Sequence, residues 1–203
     1  MYKFRFFLDF EKEEKWLETM ISQGYHLTSI SLGYRFKKGE PETATIRKDF
    51  RRFKNKEDFL DYQALFEDSG WQHLAGTKNS GDQYFKKIDE GVIDDIFSDK
   101  MSKAARYQRF AKMCFELAVA FIPVLVVFFI ADIIDFNAFV NPKALYLTQD
   151  LWDKTGSDFW SAFLFETPFA LMRGIIWLFI PLMIIFYLYF GYQSHRLYLK
   201  NKN

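Results

Sequence analysis

Five cations recur at every third position between residues 100 and 112: Lys100, Lys103, Arg106, Arg109 and Lys112. They stand directly before an apolar run. At about 100° per helical residue, three-residue spacing precesses by roughly 60°, so the charges wind around a helix instead of lining one face. That is the wrong pattern for a groove-reading stripe. It suits a helix entering a layer of lipid headgroups, where each cation near an anionic leaflet contributes about 1 kcal/mol, and the five are expected to contact the membrane surface. A second charged set, Asp132 and Arg173, is expected to form an interhelical ion pair where two apolar runs meet at their outer boundary. A third set, Trp16, Tyr25, Trp71 and Tyr84, could line a ligand or partner cleft or fill a core, the commoner use of such rings.

Other chemistries lack their residues. There is no P-loop, no dinucleotide-type glycine fingerprint, no HExxH and no GxSxG. His26 and His73 follow helix-ending glycines without a carboxylate or cysteine at ligand spacing, so packing at strand starts is the expectation and no metal site is expected. The chain has one cysteine, Cys114, which excludes an internal disulfide. Charge is balanced, 27 basic against 26 acidic residues, without the excess a nucleic-acid partner calls for. The reading is a protein without a cofactor, and not an enzyme.

These residues need elements to hold them. Residues 2–10 are rich in aromatics and read as a strand. Residues 11–23 carry Trp16, Leu17, Met20 and Ile21 at helical spacing, and Gly24 stands where a helix cap belongs. Residues 26–37 are β-type, with alternation interrupted at Gly33. Residues 43–50 read as a strand, and Asn55 caps a helix over 56–69 that ends at Gly70. Short strands follow at 71–75 and 83–88. The order β-α-β-β-α-β-β contains a diverged duplication: Asp9-Phe10, a helix, Gly24-Tyr25-His26-Leu27 and Phe36-Lys37-Lys38 are echoed by Asp49-Phe50, a helix, Gly70-Trp71-Gln72-His73-Leu74 and Phe85-Lys86-Lys87. The expected fold is α+β: a ferredoxin-like βαββαββ domain over 1–90, then an all-α two-span transmembrane hairpin. Each Phe-Lys-Lys reads as the exposed end of an edge strand, where lysine discourages further pairing.

Beyond residue 90 an acidic linker and basic juxtamembrane helix fill 91–112. Spans are expected at 113–134 and 174–194, each long enough for a hydrocarbon core of roughly 30 Å. Between them, 135–173 form an extracytoplasmic loop, with one helix over 143–153 and an interfacial helix over 158–165; 195–203 are a tail. Lysine and arginine cluster before the first span and after the second, which places both termini in the cytoplasm.

The strings EKEEKWLxxMxxxGYHL, GYRFKKGEP, LFEDSGW, YFKK and FSDKxSKxxRYxR resemble an uncharacterised family of bacterial membrane proteins, a domain of unknown function often encoded near PadR-type regulators. The resemblance covers Lys3 to about Arg109. It implies an N-terminal cytoplasmic domain with C-terminal membrane helices in the bacterial cell membrane, and transfers no catalytic residues. The function expected is a membrane-tethered regulatory or sensory binding module acting through its cytoplasmic domain. The alternative is an accessory subunit of a larger transport or envelope-stress complex, acting through its hairpin. Expected partners are the lipid bilayer and a protein in the membrane or cytoplasm, with self-association open.

Overall fold

The computed structural model describes residues 1–131 and 137–202. Asp9 starts helix α1 (Phe10–Ser22) by accepting the backbone N–H groups of Glu11 and Lys12 at 3.1 and 3.4 Å. Asn55 does the same for α2 (Lys56–Asp68) through the N–H of Asp58 at 2.8 Å. Such caps satisfy donors that the first helical turn leaves unpaired. Both helices end at glycines in the left-handed region, Gly24 at φ 79° and Gly70 at φ 80°, where a side chain is disfavoured.

Around the helices lie six strands: β1 (Tyr2–Lys3), β2 (Tyr25–Ile30), β3 (Tyr34–Lys38), β4 (Ile46–Phe50), β5 (Trp71–Ala75) and β6 (Asp82–Lys87). They form two antiparallel three-stranded sheets, ordered β1-β3-β2 and β4-β6-β5. In each half the helix joins two parallel strands with the third strand between them, a split β-α-β unit. The mixed α+β class expected from sequence is present, with two sheets where one was expected. Six strands stand where five were expected, because residues 26–37, the second expected strand, are a hairpin of two. Ser31 donates to the Gly33 carbonyl at 3.0 Å, and the backbone of Gly33 comes so close to Tyr2 and Lys3 that a Cβ there would lie 2.6 Å from the Tyr2 hydroxyl.

The duplication is structural and its register is exact to the residue. One spacing separates Asp9 from Asn55, Gly24 from Gly70 and Tyr25 from Trp71. The ladders agree: Tyr2 faces Arg35 and Lys3 faces Tyr34 in the first half, while Lys48 faces Tyr84 and Asp49 faces Gln83 in the second. Tyr25 opposes Lys38 as Trp71 opposes Lys87, and both hairpins carry an irregularity at the same offset, after Leu27 and after His73. Arg5 lies over the rings of Phe7 and Trp16 at 4.8 and 5.4 Å, and Arg51 over Phe53 and Tyr62 at 5.6 and 5.4 Å. The two Asp-Phe pairs do not correspond, because Asp9 is a helix cap and Asp49 is a residue of β4. The true counterpart of Lys3-Phe4-Arg5 is Asp49-Phe50-Arg51.

Leu17, Met20 and Ile21 of α1 pack with Leu27, Tyr34 and Phe36 of the first sheet and with Ile46, Ala75 and Tyr84 of the second, so one core serves both sheets. A second cluster under α2 holds Tyr62, Trp71 and Phe85, with Phe53, Phe66, Val92 and Ile96 against it. The unit built on these cores comprises Met1–Met113 and Phe190–Asn203. It therefore includes the start of α3 (Lys100–Ile130) and the end of α5 (Gly156–Lys202).

The other unit is Cys114–Tyr189. α3 and α5 are both long and apolar enough to cross a membrane. With 47 residues, α5 measures about 70 Å at 1.5 Å per residue, twice a hydrocarbon core and more. The interfacial helix expected over 158–165 is thus not a separate element but the first turns of α5. The helix expected over 143–153 is replaced by the short α4 (Asn137–Val140) upstream and by two 3-10 turns, Pro142–Leu145 and Leu151–Asp153, separated by Asp150 in the left-handed region at φ 54°.

Candidate functional site

The buried stripe of α1 reads Phe10, Glu13, Glu14, Leu17, Met20 and Ile21. Two acids stand in the middle of an apolar face, and a buried carboxylate persists only when paired. Successive helical positions diverge by about 100°, so the two serve different partners. Glu13 Oε2 meets Lys48 Nζ at 2.8 Å, and its Oε1 accepts the hydroxyls of Tyr34, at 2.6 Å, and Tyr84. Lys48 also reaches Asp82 at 2.8 Å. Burial works against the Lys48 charge, and Asp82 and Glu13 outweigh it, so its pKa is raised. Burial and Glu13 push both phenols up, keeping them as donors.

Glu14 turns to α3. Its Oε1 accepts the Lys48 backbone N–H at 2.9 Å and a charged bond from Arg106 Nη1, which also donates to the Lys48 carbonyl at 2.7 Å. Arg106 is fully buried. Among the described residues its Nε and Nη2 have no hydrogen-bond partner, yet the guanidinium is enclosed by Phe10, Phe97 and Tyr107, with ring centroids 5.3–5.5 Å away. Cation–π attraction compensates part of the lost hydration. Burial lowers the Arg106 pKa, but the Glu14 charge prevails and raises it, so Arg106 stays charged.

One turn on, Arg109 pairs with Asp49 and donates from Nε to the Phe50 carbonyl at 2.6 Å. Asp49 also accepts the Tyr62 hydroxyl at 2.8 Å. Between the two arginines, the Tyr107 ring stacks on Phe10 at 4.5 Å and its hydroxyl accepts the Phe10 N–H at 3.1 Å. The tail of α5 closes the assembly: Ser194 donates to the Tyr107 carbonyl at 2.9 Å, and Leu197 and Tyr198 pack on the cluster of Phe10, Phe50 and Tyr107. Every oxygen of Glu13 is bonded, which suits a lock more than a proton-transfer group.

Of the five cations expected to contact the membrane surface, three have carboxylate partners instead. Lys103 meets Asp95 at 2.9 Å and Glu11 at 3.5 Å, Arg106 meets Glu14, and Arg109 meets Asp49. Lys100 and Lys112 are exposed. Winding by about 60° per step aims successive charges at carboxylates on the linker, α1 and β4. The cleft of four aromatics is also corrected. Trp16, Tyr25 and Tyr84 belong to the shared core and Trp71 to the cluster under α2, with Trp71 and Tyr84 each 1% exposed. Both Phe-Lys-Lys triplets lie on central strands, not edges. Lys86 pairs with Glu42 and Lys87 with Asp94 at 2.6 Å, on the rim of an open groove.

The histidines lie apart. His26 Nε2 lies 2.8 Å from the Glu40 carbonyl, and His73 is bracketed by Gln63 at 2.7 Å and Gln83 at 3.0 Å. Among the described residues no three His, Cys, Asp or Glu side chains gather in a way that could hold a metal ion. Asp132, half of the expected interhelical pair, lies outside the described residues. Its expected partner, Arg173, pairs with Glu166 and donates from Nε to the Leu145 carbonyl at 3.0 Å. Glu166 in turn accepts from Thr148 at 3.0 Å and from the Leu147 N–H at 3.3 Å, so the pair fixes residues 145–148 on α5. Arg173 and these bonds hold Glu166 below the usual carboxylate range.

A family model described as "Protein of unknown function (DUF2812)" matches residues 9–119, more than half of the chain. The chain belongs to the DUF2812 family. The matched segment begins at the cap of α1 and ends within α3, so it takes in Glu13, Glu14, Lys48, Asp49, Asp82, Tyr84, Arg106 and Arg109. The basic start of α3 thus falls inside the family domain, in keeping with its burial there. No curated protein and no solved structure matches the chain.

Proposed function

We propose that the chain is a membrane-tethered regulatory or sensory module, whose N-terminal domain binds a protein or small ligand in the cytoplasm and transmits its state along α3 and α5. The observation that carries this reading is the buried pair of Arg106 with Glu14: the first turns of a helix apolar enough to cross a membrane are part of the domain's core. A ligand that shifts α1 against β4 moves the partners of Arg106 and Arg109, and so acts on α3. The tail of α5 is bound to the same cluster, which gives the domain a grip on both helices. One compact unit contains both chain ends, which supports their lying on one side of a bilayer, and the lysine and arginine bias favours the cytoplasmic side. In its wider relations the domain remains comparable to a ferredoxin-like sandwich, with the single sheet split in two. A regulatory role also suits the PadR-type neighbours that the family resemblance implies.

The test is co-purification of the tagged full-length protein from its host in mild detergent, beside a variant in which residues 114–189 are exchanged for an unrelated two-span segment. A specific partner retained by both supports the module. A partner lost on exchange favours the second reading, an accessory membrane subunit. The loop held by Glu166 and Arg173 gives that reading its one structural support, a fixed surface outside the N-terminal domain.

A further inference from the structure

The first-half sheet leaves bare a face whose counterpart in the second half is covered. Arg5 and Phe7 lie against Trp16, while the aromatics Tyr2, Phe4 and Phe6 are 53%, 75% and 58% exposed. Leu32, on the turn that closes over Tyr2, is 84% exposed. Phe50, the repeat counterpart of Phe4, is 3% exposed and packs under Tyr107 and Phe110 of α3. The same position is thus an inward anchor in one half and a bare aromatic in the other.

Two observations say what belongs there. Phe6 stacks edge-on against Phe190 with ring centroids 5.1 Å apart, and Phe190 stands in the apolar run of α5 that ends at Tyr192. The bare aromatics are therefore continuous with the end of a membrane-compatible surface. Charge agrees: residues 1–8 and 25–38 contain no acid. On β3, Arg35 and Lys37 are exposed on the face opposite the buried Tyr34 and Phe36, and Arg35 is the ladder partner of Tyr2. Outward aromatics bordered by cations fit the headgroup zone of an anionic leaflet.

We propose that this face of the N-terminal domain lies on the anionic cytoplasmic leaflet, with Phe4, Phe6 and Leu32 set among the headgroups and Arg35 and Lys37 bound to lipid anions. The proposal rests on the membrane-spanning reading above, and its test separates the two. In the full chain with Cys114→Ala, a nitroxide is placed at Phe4→Cys, at Ile185→Cys within the apolar run of α5, or at Leu65→Cys on the exposed side of α2. Single chains are reconstituted in nanodiscs containing phosphatidylglycerol, and collision with oxygen is compared with collision with a water-soluble nickel chelate. Residue 4 is expected to favour oxygen, as residue 185 does, and residue 65 to favour nickel. Arg35→Glu with Lys37→Glu shifts residue 4 toward nickel and leaves residue 185 unchanged. Residue 4 favouring nickel while residue 185 favours oxygen overturns the proposal, as does a residue 4 label shielded from both colliders, which signals coverage by protein. Residue 185 favouring nickel instead overturns the spanning reading on which the proposal stands.

Discussion

Replacing Arg106 by methionine tests whether α3 is locked into the domain or merely rests beside it. The substitution keeps most of the volume and leaves Glu14 buried with its charge unmatched. Removing one member of a buried ion pair costs about 3–5 kcal/mol. At about 2–4 °C per kcal/mol for a chain of this size, the melting temperature should fall by about 6–20 °C. Tryptophan fluorescence reports on the right unit if Trp152, Trp160 and Trp177 are first changed to phenylalanine, since Trp16 and Trp71 then carry the signal.

Glu14 supplies a second signature. Burial raises its pKa above the usual 4.5 even with Arg106 present, and loss of Arg106 raises it further. A carboxylate with a raised folded-state pKa binds its proton more tightly folded than unfolded, so stability falls as pH rises from 4.5 through the folded value. The deficit of Arg106→Met should therefore shrink as pH is lowered toward 5, and adding Glu14→Gln should remove that pH dependence and recover much of the loss. The exposed Lys100→Met is the control. A shift below about 2 °C for Arg106→Met, the size of an ordinary surface change, refutes the lock and restores Arg106 to the lipid surface.

Gly70→Ala forces a left-handed residue with a side chain, costing about 1–2 kcal/mol, and its Cβ would lie 2.8 Å from Val92 Cγ2; chemical denaturation should register at least that loss. Burial lowers the His73 pKa below 6.5, so the folded state resists protonation and stability should decline as pH falls through and below 6.5. His73→Gln should flatten that decline in melting curves taken at pH values from above 6.5 downward. Glu166→Gln removes the charge paired with Arg173 and turns one of the two oxygens that accept from Arg173, Thr148 and the Leu147 N–H into a donor, and limited proteolysis should then cut residues 142–154 several-fold faster without altering fragments from the N-terminal unit.

Local signals were legible in the sequence where one residue type answers one local need. The caps Asp9 and Asn55, the stop glycines and the two helices follow from short-range chemistry and appear where their residues stand. The interruption at Gly33 was visible, but a hairpin hidden in a β-type run needs the tertiary contact with Tyr2 to be recognised. The basic residues of α3 were legible as charges winding around a helix. Their partners were not, because Glu14 and Asp49 lie far away in sequence and no local pattern distinguishes a cation awaiting lipid from one awaiting a carboxylate. One signal was available: α1 buries an apolar stripe with Glu13 and Glu14 at its centre, and two acids on such a stripe call for cations from elsewhere in the chain.

The duplication explains why α3 docks where it does. Each half offers a helix and a first strand in the same register, so in principle each offers a seat for a basic helix. In the first half of the repeat the helix carries Glu14, and its counterpart on α2 is Leu60, which is 49% exposed. On the strands the acid lies in the second half, as Asp49 of β4, and its counterpart on β1 is Lys3. At these repeat positions the two carboxylates stand where α1 faces β4, across the seam between halves; the equivalent positions of α2 and β1 hold a leucine and a lysine. Arg106 and Arg109, three residues apart, find their acids at this seam on two different elements, Glu14 of α1 and Asp49 of β4. The break in symmetry is thus one of charge more than of backbone. It turns a pair of similar halves into a domain with a single direction, committed to α3 on one side and, with Phe4 left bare at the position where Phe50 is covered, open on the other.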